Sequence, residues 1–74
     1  MKNIIYVKLL NEGVDVYRPV LSQHIEGDIY QIGGDEAYDN EDEIWEYSPG
    51  SYVVVKKMNL EGRDVFVAIK NYIV

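Results

Sequence analysis

Hydrophobic and polar residues alternate along much of this chain, with the period of two that is typical of β-strands. Six runs of this kind are predicted to be strands, with the fourth a short edge strand: 3–10, 14–21, 28–32, 43–47, 51–59 and 64–74. Two antiparallel hairpins are expected among them, which pair 3–10 with 14–21 and 51–59 with 64–74.

Glycine and proline mark the turns between the predicted strands. The loop 11–13 ends in Gly13, which we expect in the left-handed conformation. Pro49 followed by Gly50 is a strong turn signal, because proline presets φ and glycine accepts a positive one. Residues 60–63 have the length of a four-residue hairpin loop.

The inward faces of these strands are expected to form the core. The residues predicted to be most buried are Ile5, Val7, Val14, Val16, Ile32, Val53, Val55, Val65, Val67 and Ile69. Pro19 has no N–H to donate, so its part of the second strand is expected at an edge or a bend. Arg18 shares a face with valines, and it either is buried and pairs with a carboxylate of the acidic residues 35–46 or extends into solvent.

The composition favours β-structure. Valine, isoleucine and the aromatic residues make up 27 of the 35 hydrophobic residues, whereas leucine, alanine and methionine supply eight. The 74 residues are expected to form one domain, 1–74, and the absence of cysteine excludes disulfides and thiolate metal sites. We therefore predict a small all-β barrel of five to six short antiparallel strands, since closure protects the sheet edges.

The net charge of −6 comes from one segment. Seven acidic residues and no basic one lie between Asp35 and Glu46, while the other 62 residues have six acids and seven bases. This balance argues against a direct nucleic-acid partner and against an anionic membrane, because both require lysine and arginine. With no signal peptide and no long apolar run, the expected location is cytoplasmic.

Three interpretations of the acidic segment stay open. Its carboxylates could bind calcium, although a loop counted from Asp35 has Asn40 where an EF-hand needs glycine. They could instead mimic nucleic-acid charge and steer a basic partner. The simplest interpretation is a solvated loop that keeps a small barrel soluble.

Aromatic residues accompany these acids. The candidate protein-binding site combines both kinds: Tyr38, Asp39, Glu41, Asp42, Glu43, Trp45 and Tyr47. On an extended segment Trp45 and Tyr47 share one face, where they could anchor a partner. The alternative is that Trp45 closes one end of the barrel and donates its indole N–H to a carbonyl.

Three segments resemble a family of small bacterial proteins of uncharacterised activity. They are LLNEGVDVYRPV (9–20), GDIYQI (27–32) and EIWEYSPGSYVVV (43–55). The resemblance runs over most of the chain. It implies a small, stand-alone barrel, and it supplies no activity, cofactor or catalytic residue.

A second resemblance is to Src-homology-3 domains. The segment DEIWEYSPGSYVVVKK (42–57) is similar to their DELSF-x-x-GD-x-x-x-V segment, and NYIV (71–74) is similar to their closing motif. The paired tryptophans and the ALYDY motif of that family are absent. The resemblance therefore implies a Src-homology-3-like barrel, without the proline-peptide groove.

Little in the sequence indicates catalysis. His24 is the single histidine and is placed in a turn, and the acidic segment lacks the apolar pocket that shifts a carboxyl pKa. We expect no enzyme activity, no metal and no cofactor. The predicted function is a non-catalytic protein-binding or regulatory module; the alternatives are an acidic inhibitor that mimics nucleic acid, and an assembly subunit that pairs through strand edges. A homo-oligomer stays open.

Overall fold

The computed structural model describes residues 2–33 and 44–73, which form one six-stranded sheet and contain no helix. The strands are β1 (Lys2–Leu10), β2 (Val16–Glu26), β3 (Ile29–Ile32), β4 (Ile44–Trp45), β5 (Tyr52–Leu60) and β6 (Arg63–Asn71). The predicted all-β class is confirmed. Since the described residues form no helix, none of them belongs to a helix that could cross a membrane.

Five of the strands form a closed ring of pairings. Their order is β2-β3-β5-β6-β1, and β1 also pairs with β2. Antiparallel pairings join β1 to β2, β2 to β3, β3 to β5 and β5 to β6, so β1 and β6 run in the same direction. The closing contact is accordingly parallel, a bridge between Tyr6 and Val67. The short β4 lies outside this ring and pairs with the end of β1.

Both predicted hairpins are confirmed, with β1 paired to β2 and β5 paired to β6. The boundaries of β2 differ from the prediction at both ends. It begins at Val16 because Asn11 and Gly13 both have positive φ angles, which lengthens the loop. It continues to Glu26, so His24 lies in a strand and its predicted place in a turn was wrong.

Most of the predicted core is confirmed by burial. The buried residues that were predicted are Ile5, Val7, Ile32, Val53, Val55 and Val67. Val16 and Val65 are half-buried. Val14 was predicted inside but is 72% exposed, because it belongs to the longer loop and precedes β2. The core also includes four residues that were not in the predicted set: Leu9, Val20, Trp45 and Ala68.

Ile69 was also predicted inside, and it is exposed. The cause is a β-bulge in β6. Val54 pairs with Lys70 and Val55 pairs with Ala68, so Ile69 is an extra residue without a partner in the ladder. Val67 and Ala68 lie before the bulge, in regular register with Lys56 and Val55, and are therefore on opposite faces of β6. Ala68 is buried in the core cluster, whereas Val67 is buried at the bridge to Tyr6, so Ile69 follows on the face opposite the core.

Two polar features of β2 fit its surroundings. Ser22 is buried, and its hydroxyl donates a hydrogen bond of 3.1 Å to the carbonyl oxygen of Asn3. Pro19 lies where β3 no longer accompanies β2, since β3 pairs only with residues 22–26. Among the described strands, this part of β2 pairs only with β1. The missing N–H of Pro19 therefore interrupts no hydrogen-bond ladder to a second strand, as expected for an edge.

Candidate functional site

The predicted binding site lies only partly within the described residues. Five of its members fall in the gap between 33 and 44: Tyr38, Asp39, Glu41, Asp42 and Glu43. Their contribution to binding stays a prediction. The two remaining members, Trp45 and Tyr47, can be placed.

Trp45 is a core residue. It lies in β4, where it pairs with Leu9 of β1, and it packs in the same cluster as Ile5 and Val53. Tyr47 is half-buried against this cluster. Burial raises the pKa of the Tyr47 phenol, and the neighbouring Glu46 carboxylate raises it further. Trp45 is thus buried in the core, whereas Tyr47, the other described aromatic residue of this segment, remains partly accessible to solvent.

A different surface of the molecule exposes several apolar side chains. Residues directly opposite each other in antiparallel strands share a face. Opposite the core, three successive pairs of β1 and β2 form what we call the β1–β2 face: Ile4 with Leu21, Tyr6 with Pro19, and Lys8 with Tyr17. Ile4 is 50% exposed and Leu21 is 40% exposed. Five of the six residues in this face are apolar or aromatic, which is unusual for a side directed toward solvent.

The β1–β2 face continues into a cleft of about 610 Å³. Tyr6 and Tyr17 line one wall of the cleft, and Met58, Leu60 and Val65 of the β5–β6 hairpin line the other. The cleft forms because β1 and β6 meet at one bridge only, Tyr6 with Val67, so the two hairpins diverge on either side of it. Aromatic and aliphatic side chains in a concave surface are typical of binding sites.

Charged groups border this cleft. The Lys8 ammonium lies 3.2 Å from the Asp15 carboxylate, and both side chains are exposed to solvent. The hydrogen bond from Lys8 to Asp15, with their mutual attraction, raises the pKa of the lysine above its ordinary value of 10.5. On the opposite side, Glu61 and Arg63 lie at the end of the β5–β6 hairpin. Side chains of both charges therefore lie around the apolar residues of the cleft.

The sequence contains a signal for this surface. Between Ile4 and Leu10 both sides of the predicted strand are largely apolar, whereas a strand with one solvated face alternates with polar residues. A second apolar side therefore indicates a second contact. What could not be predicted is the divergence of the hairpins, since it depends on where β1 meets β6.

A row of three rings crosses the sheet at another place. His24 of β2 is directly opposite Tyr30 of β3, with ring centroids 4.9 Å apart, and Tyr30 lies 6.2 Å from the ring of Phe66 in β6. The imidazole Nε2 of His24 is 2.8 Å from the carbonyl oxygen of Gly27, in the turn to β3. We refer to these three side chains as the aromatic row.

The described residues show no group of three or more histidine, cysteine, aspartate or glutamate side chains that could hold a metal ion. The His24 imidazole contacts the Tyr30 ring and the backbone carbonyl of Gly27. The main features of the described part are its apolar and aromatic surfaces.

Three comparisons with known proteins found no match to this chain. No protein-family model matches the chain, and no curated protein and no solved structure matches it. The functional argument accordingly rests on the surfaces described above.

Proposed function

We propose that this chain is a non-catalytic protein-binding or regulatory module that holds its partner on the β1–β2 face. The observation that supports the proposal is a face of three successive pairs, with five apolar or aromatic residues among six, that lies beside a cleft. Removing such a surface from water is favourable, and it is the main driving force of protein association. Tyr6 and Tyr17, at the junction of face and cleft, are of the residue type that most often anchors an interface.

The charge of the chain indicates a basic partner. The segment between Asp35 and Glu46 adds seven carboxylates without a base, and the whole chain has a net charge of −6. Long-range attraction of this kind raises association rates and has less effect on dissociation. Two copies of the chain would repel each other electrostatically. We therefore propose that the candidate residues Asp39, Glu41 and Asp42 steer a positively charged protein toward the face.

The closed ring is proposed to be a Src-homology-3-like barrel. Five short strands in a closed ring and the turn at Gly50, with its φ of 89°, support this assignment. The shape of the barrel explains how so small a chain can expose an apolar face: its core is already enclosed by the other side of the same strands.

Assembly through strand edges is the less supported alternative. Beyond its pairing with β3 at residues 52–54, β5 has β6 as its one paired neighbour among the described strands. This open stretch contains Lys56 and Lys57, and charged residues on an edge discourage strand addition. The acidic inhibitor alternative differs from our proposal in one respect, since it needs the carboxylates alone and no apolar face.

Replacing the apolar pair at the end of the face tests the proposal. The double variant Ile4→Thr, Leu21→Thr keeps two β-forming residues but removes the two exposed aliphatic side chains at the end of the face. We expect it to dissociate at least about tenfold faster than the wild type from any partner captured from the host, because interface anchors act mainly on dissociation. Val14→Thr is the matched control, since Val14 is also exposed but lies outside the face.

A second variant separates the acidic inhibitor from the proposed module. Changing Asp39, Glu41 and Asp42 to their amides should slow association and flatten its salt dependence, with dissociation nearly unchanged. If the threonine variant binds like the wild type while the amide variant fails to bind, the partner recognises the carboxylates alone. That result would contradict our proposal and support the inhibitor.

A further inference from the structure

We propose that two copies of the chain form a dimer through the side of β3 and β5 that is opposite the core. The surface consists of six residues on β2, β3, β5, β6 and the turn before β3, which we call the β3–β5 face: Glu26, Asp28, Ile29, Val54, Lys56 and Lys70. None of these residues belongs to the β1–β2 face, so the dimer does not depend on the proposed function.

Strand pairing places four residues of the face in one row across the sheet. Glu26 of β2 is directly opposite Ile29 of β3, and Ile29 is directly opposite Val54 of β5. Val54 is in turn opposite Lys70 of β6. The adjacent Val53 is fully buried, so the row lies on the outer side of the sheet. The row therefore begins with a carboxylate, continues with two aliphatic residues and ends with an ammonium group.

The charges of the face are divided between its two halves. The half on β2 and β3 has two carboxylates, Glu26 and Asp28. The half on β5 and β6 has two ammonium groups, those of Lys70 and of Lys56, which is two residues from Val54 and so shares its face. All four side chains are exposed, and none of them forms an ion pair with another described residue. Each half is therefore complementary in charge to the other.

The middle of the face is apolar and concave. Ile29 and Val54 are half-buried, and they line a cleft of about 510 Å³. A β-bulge lies at each end of the row, and its extra residue is an isoleucine, Ile25 in β2 and Ile69 in β6. Their side chains are 43% and 44% exposed. An apolar centre with charged groups around it is the usual arrangement of a protein interface.

A two-fold axis between β3 and β5, parallel to the strands, makes the face complementary to itself. It brings Glu26 of one copy against Lys70 of the second copy, and Ile29 against Val54. The strands of the two copies are then aligned, as is common for sheets that pack face to face. An interface in which one patch meets its own copy is also the commonest kind in homo-oligomers.

The second pair of charges follows the same symmetry. Asp28 lies level with Val55, since its carbonyl oxygen accepts a hydrogen bond of 2.9 Å from the Val55 N–H. Lys56 is the next residue, so the axis brings Asp28 of one copy close to Lys56 of the second copy. A basic protein would instead be repelled by the two lysines, and an acidic protein by the two carboxylates. The charges of the face thus favour a second copy of this chain.

The net charge of −6 weakens the dimer without excluding it. Seven acids lie between Asp35 and Glu46, whereas the β3–β5 face has equal numbers of acids and bases. At physiological ionic strength, exposed charges that are more than about 8 Å apart are largely screened from each other. Long-range repulsion between two copies is therefore reduced under these conditions, while the direct contacts remain.

Sedimentation velocity at about 0.15 M salt tests the dimer. The wild type should convert from monomer to dimer between about 1 μM and 1 mM. Lys70→Glu should weaken the dimer at least about tenfold, because it brings two carboxylates together at both symmetric contacts. Lys57→Glu is the matched control, since it changes the net charge equally but lies on the other side of β5, where Lys57 is exposed. It should dimerise like the wild type.

A mixture of two variants gives the sharper test. Glu26→Lys should weaken the dimer as Lys70→Glu does. An equimolar mixture of the two should dimerise again, because each variant supplies the charge that the other needs at both contacts. Restored dimers would also show that both variants are folded.

The proposal is wrong if the wild type stays monomeric at about 1 mM, or if Lys70→Glu dimerises like the wild type. It is also wrong if circular dichroism shows both single variants folded and their mixture dimerises no better than either alone. Amide spectra recorded on dilution locate the contact. Shifts at Ile29 and Val54 support the β3–β5 face, whereas shifts at Ile4 and Leu21 alone would place the dimer on the β1–β2 face and overturn the proposal.

Discussion

Val55 and Val14 have the same side chain in opposite surroundings. Val55 is 4% exposed and contacts the core cluster, whereas Val14 is 72% exposed in the loop before β2. Removing methyl groups from a buried valine loses their transfer free energy and leaves a cavity. Native proteins are stable by only about 5–15 kcal/mol, so a single such loss is a large fraction of the total. The contribution of a residue to stability here depends on burial, not on residue type.

We predict that Val55→Ala lowers the free energy of unfolding by about 1.5–3 kcal/mol. Val14→Ala should change it by less than about 0.5 kcal/mol, as is usual at the surface. Urea unfolding of both variants measures the difference. Equal midpoints for the two variants would show that Val55 does not lie in the core.

Tyr47 is expected to make the free energy of unfolding depend on pH in the alkaline range. Its pKa is raised above 10.0, chiefly by burial and then by Glu46, so the folded state favours the protonated phenol. A group with a raised folded pKa contributes stability that is present below its unfolded pKa and is lost as the pH rises through the folded value. Lys8 should add to this loss of stability above about pH 10.5, because its hydrogen bond to Asp15 raises its pKa above that value.

We therefore predict that the chain loses stability above about pH 10 and that Tyr47→Phe reduces this loss. Unfolding midpoints measured from neutral to alkaline pH provide the test. Asp15→Asn should also reduce the loss, through Lys8, and high salt should weaken that second effect. A Tyr47→Phe variant with the same alkaline slope as the wild type would contradict the assignment.

The β5–β6 hairpin shows how a turn positions a whole element. Leu60 pairs with Arg63, so the loop consists of two residues, Glu61 and Gly62, shorter than the four predicted from the sequence. Both have positive φ angles, 51° and 85°, as a type I′ turn requires. The Asn59 side chain accepts a hydrogen bond of 3.2 Å from the Gly62 N–H. The turn thereby sets the register that brings Met58 and Val65 together beside the cleft.

At this turn we predict opposite effects from two substitutions. Gly62→Ala should destabilise the chain by about 1–2 kcal/mol, the cost of a left-handed conformation with a Cβ. The space around Gly62 is open, so the cost is conformational. Glu61→Asn should raise the melting temperature, since asparagine suits this conformation. Calorimetry compares the two, and a Gly62→Ala variant as stable as the wild type would exclude the type I′ turn.

The elements also show which parts of the fold the sequence could predict. Alternation located the hairpins, and turn residues such as Gly13 indicated where they reverse. The bulge at Ile69 could not be predicted, because one unpaired residue in a ladder leaves no mark on local alternation. The same holds for the length of β2: polar residues such as Gln23 and Glu26 resemble a turn, and only pairing with β3 shows that they belong to a strand.

In the molecule as a whole, the single sheet has surfaces of three kinds. Its inner side is a core closed by Trp45, its outer side at β1–β2 is the proposed partner surface, and one end presents the aromatic row. The sequence indicated a binding function by its charge and its aromatic residues. It left two interpretations of Trp45 open, an anchor for a partner or a core residue, and its burial and its pairing with Leu9 support the second.

Cross-saturation between the chain and a basic protein recovered from the host tests the central proposal most directly. It detects which methyl groups lie within contact distance of the partner. We predict that saturation reaches the methyl groups of Ile4 and Leu21 first, with weaker transfer to the equally exposed Ile44 and Ile69. Transfer that reaches Ile44 or Ile69 and leaves Ile4 and Leu21 unaffected would contradict the account, because the partner would then occupy a different surface.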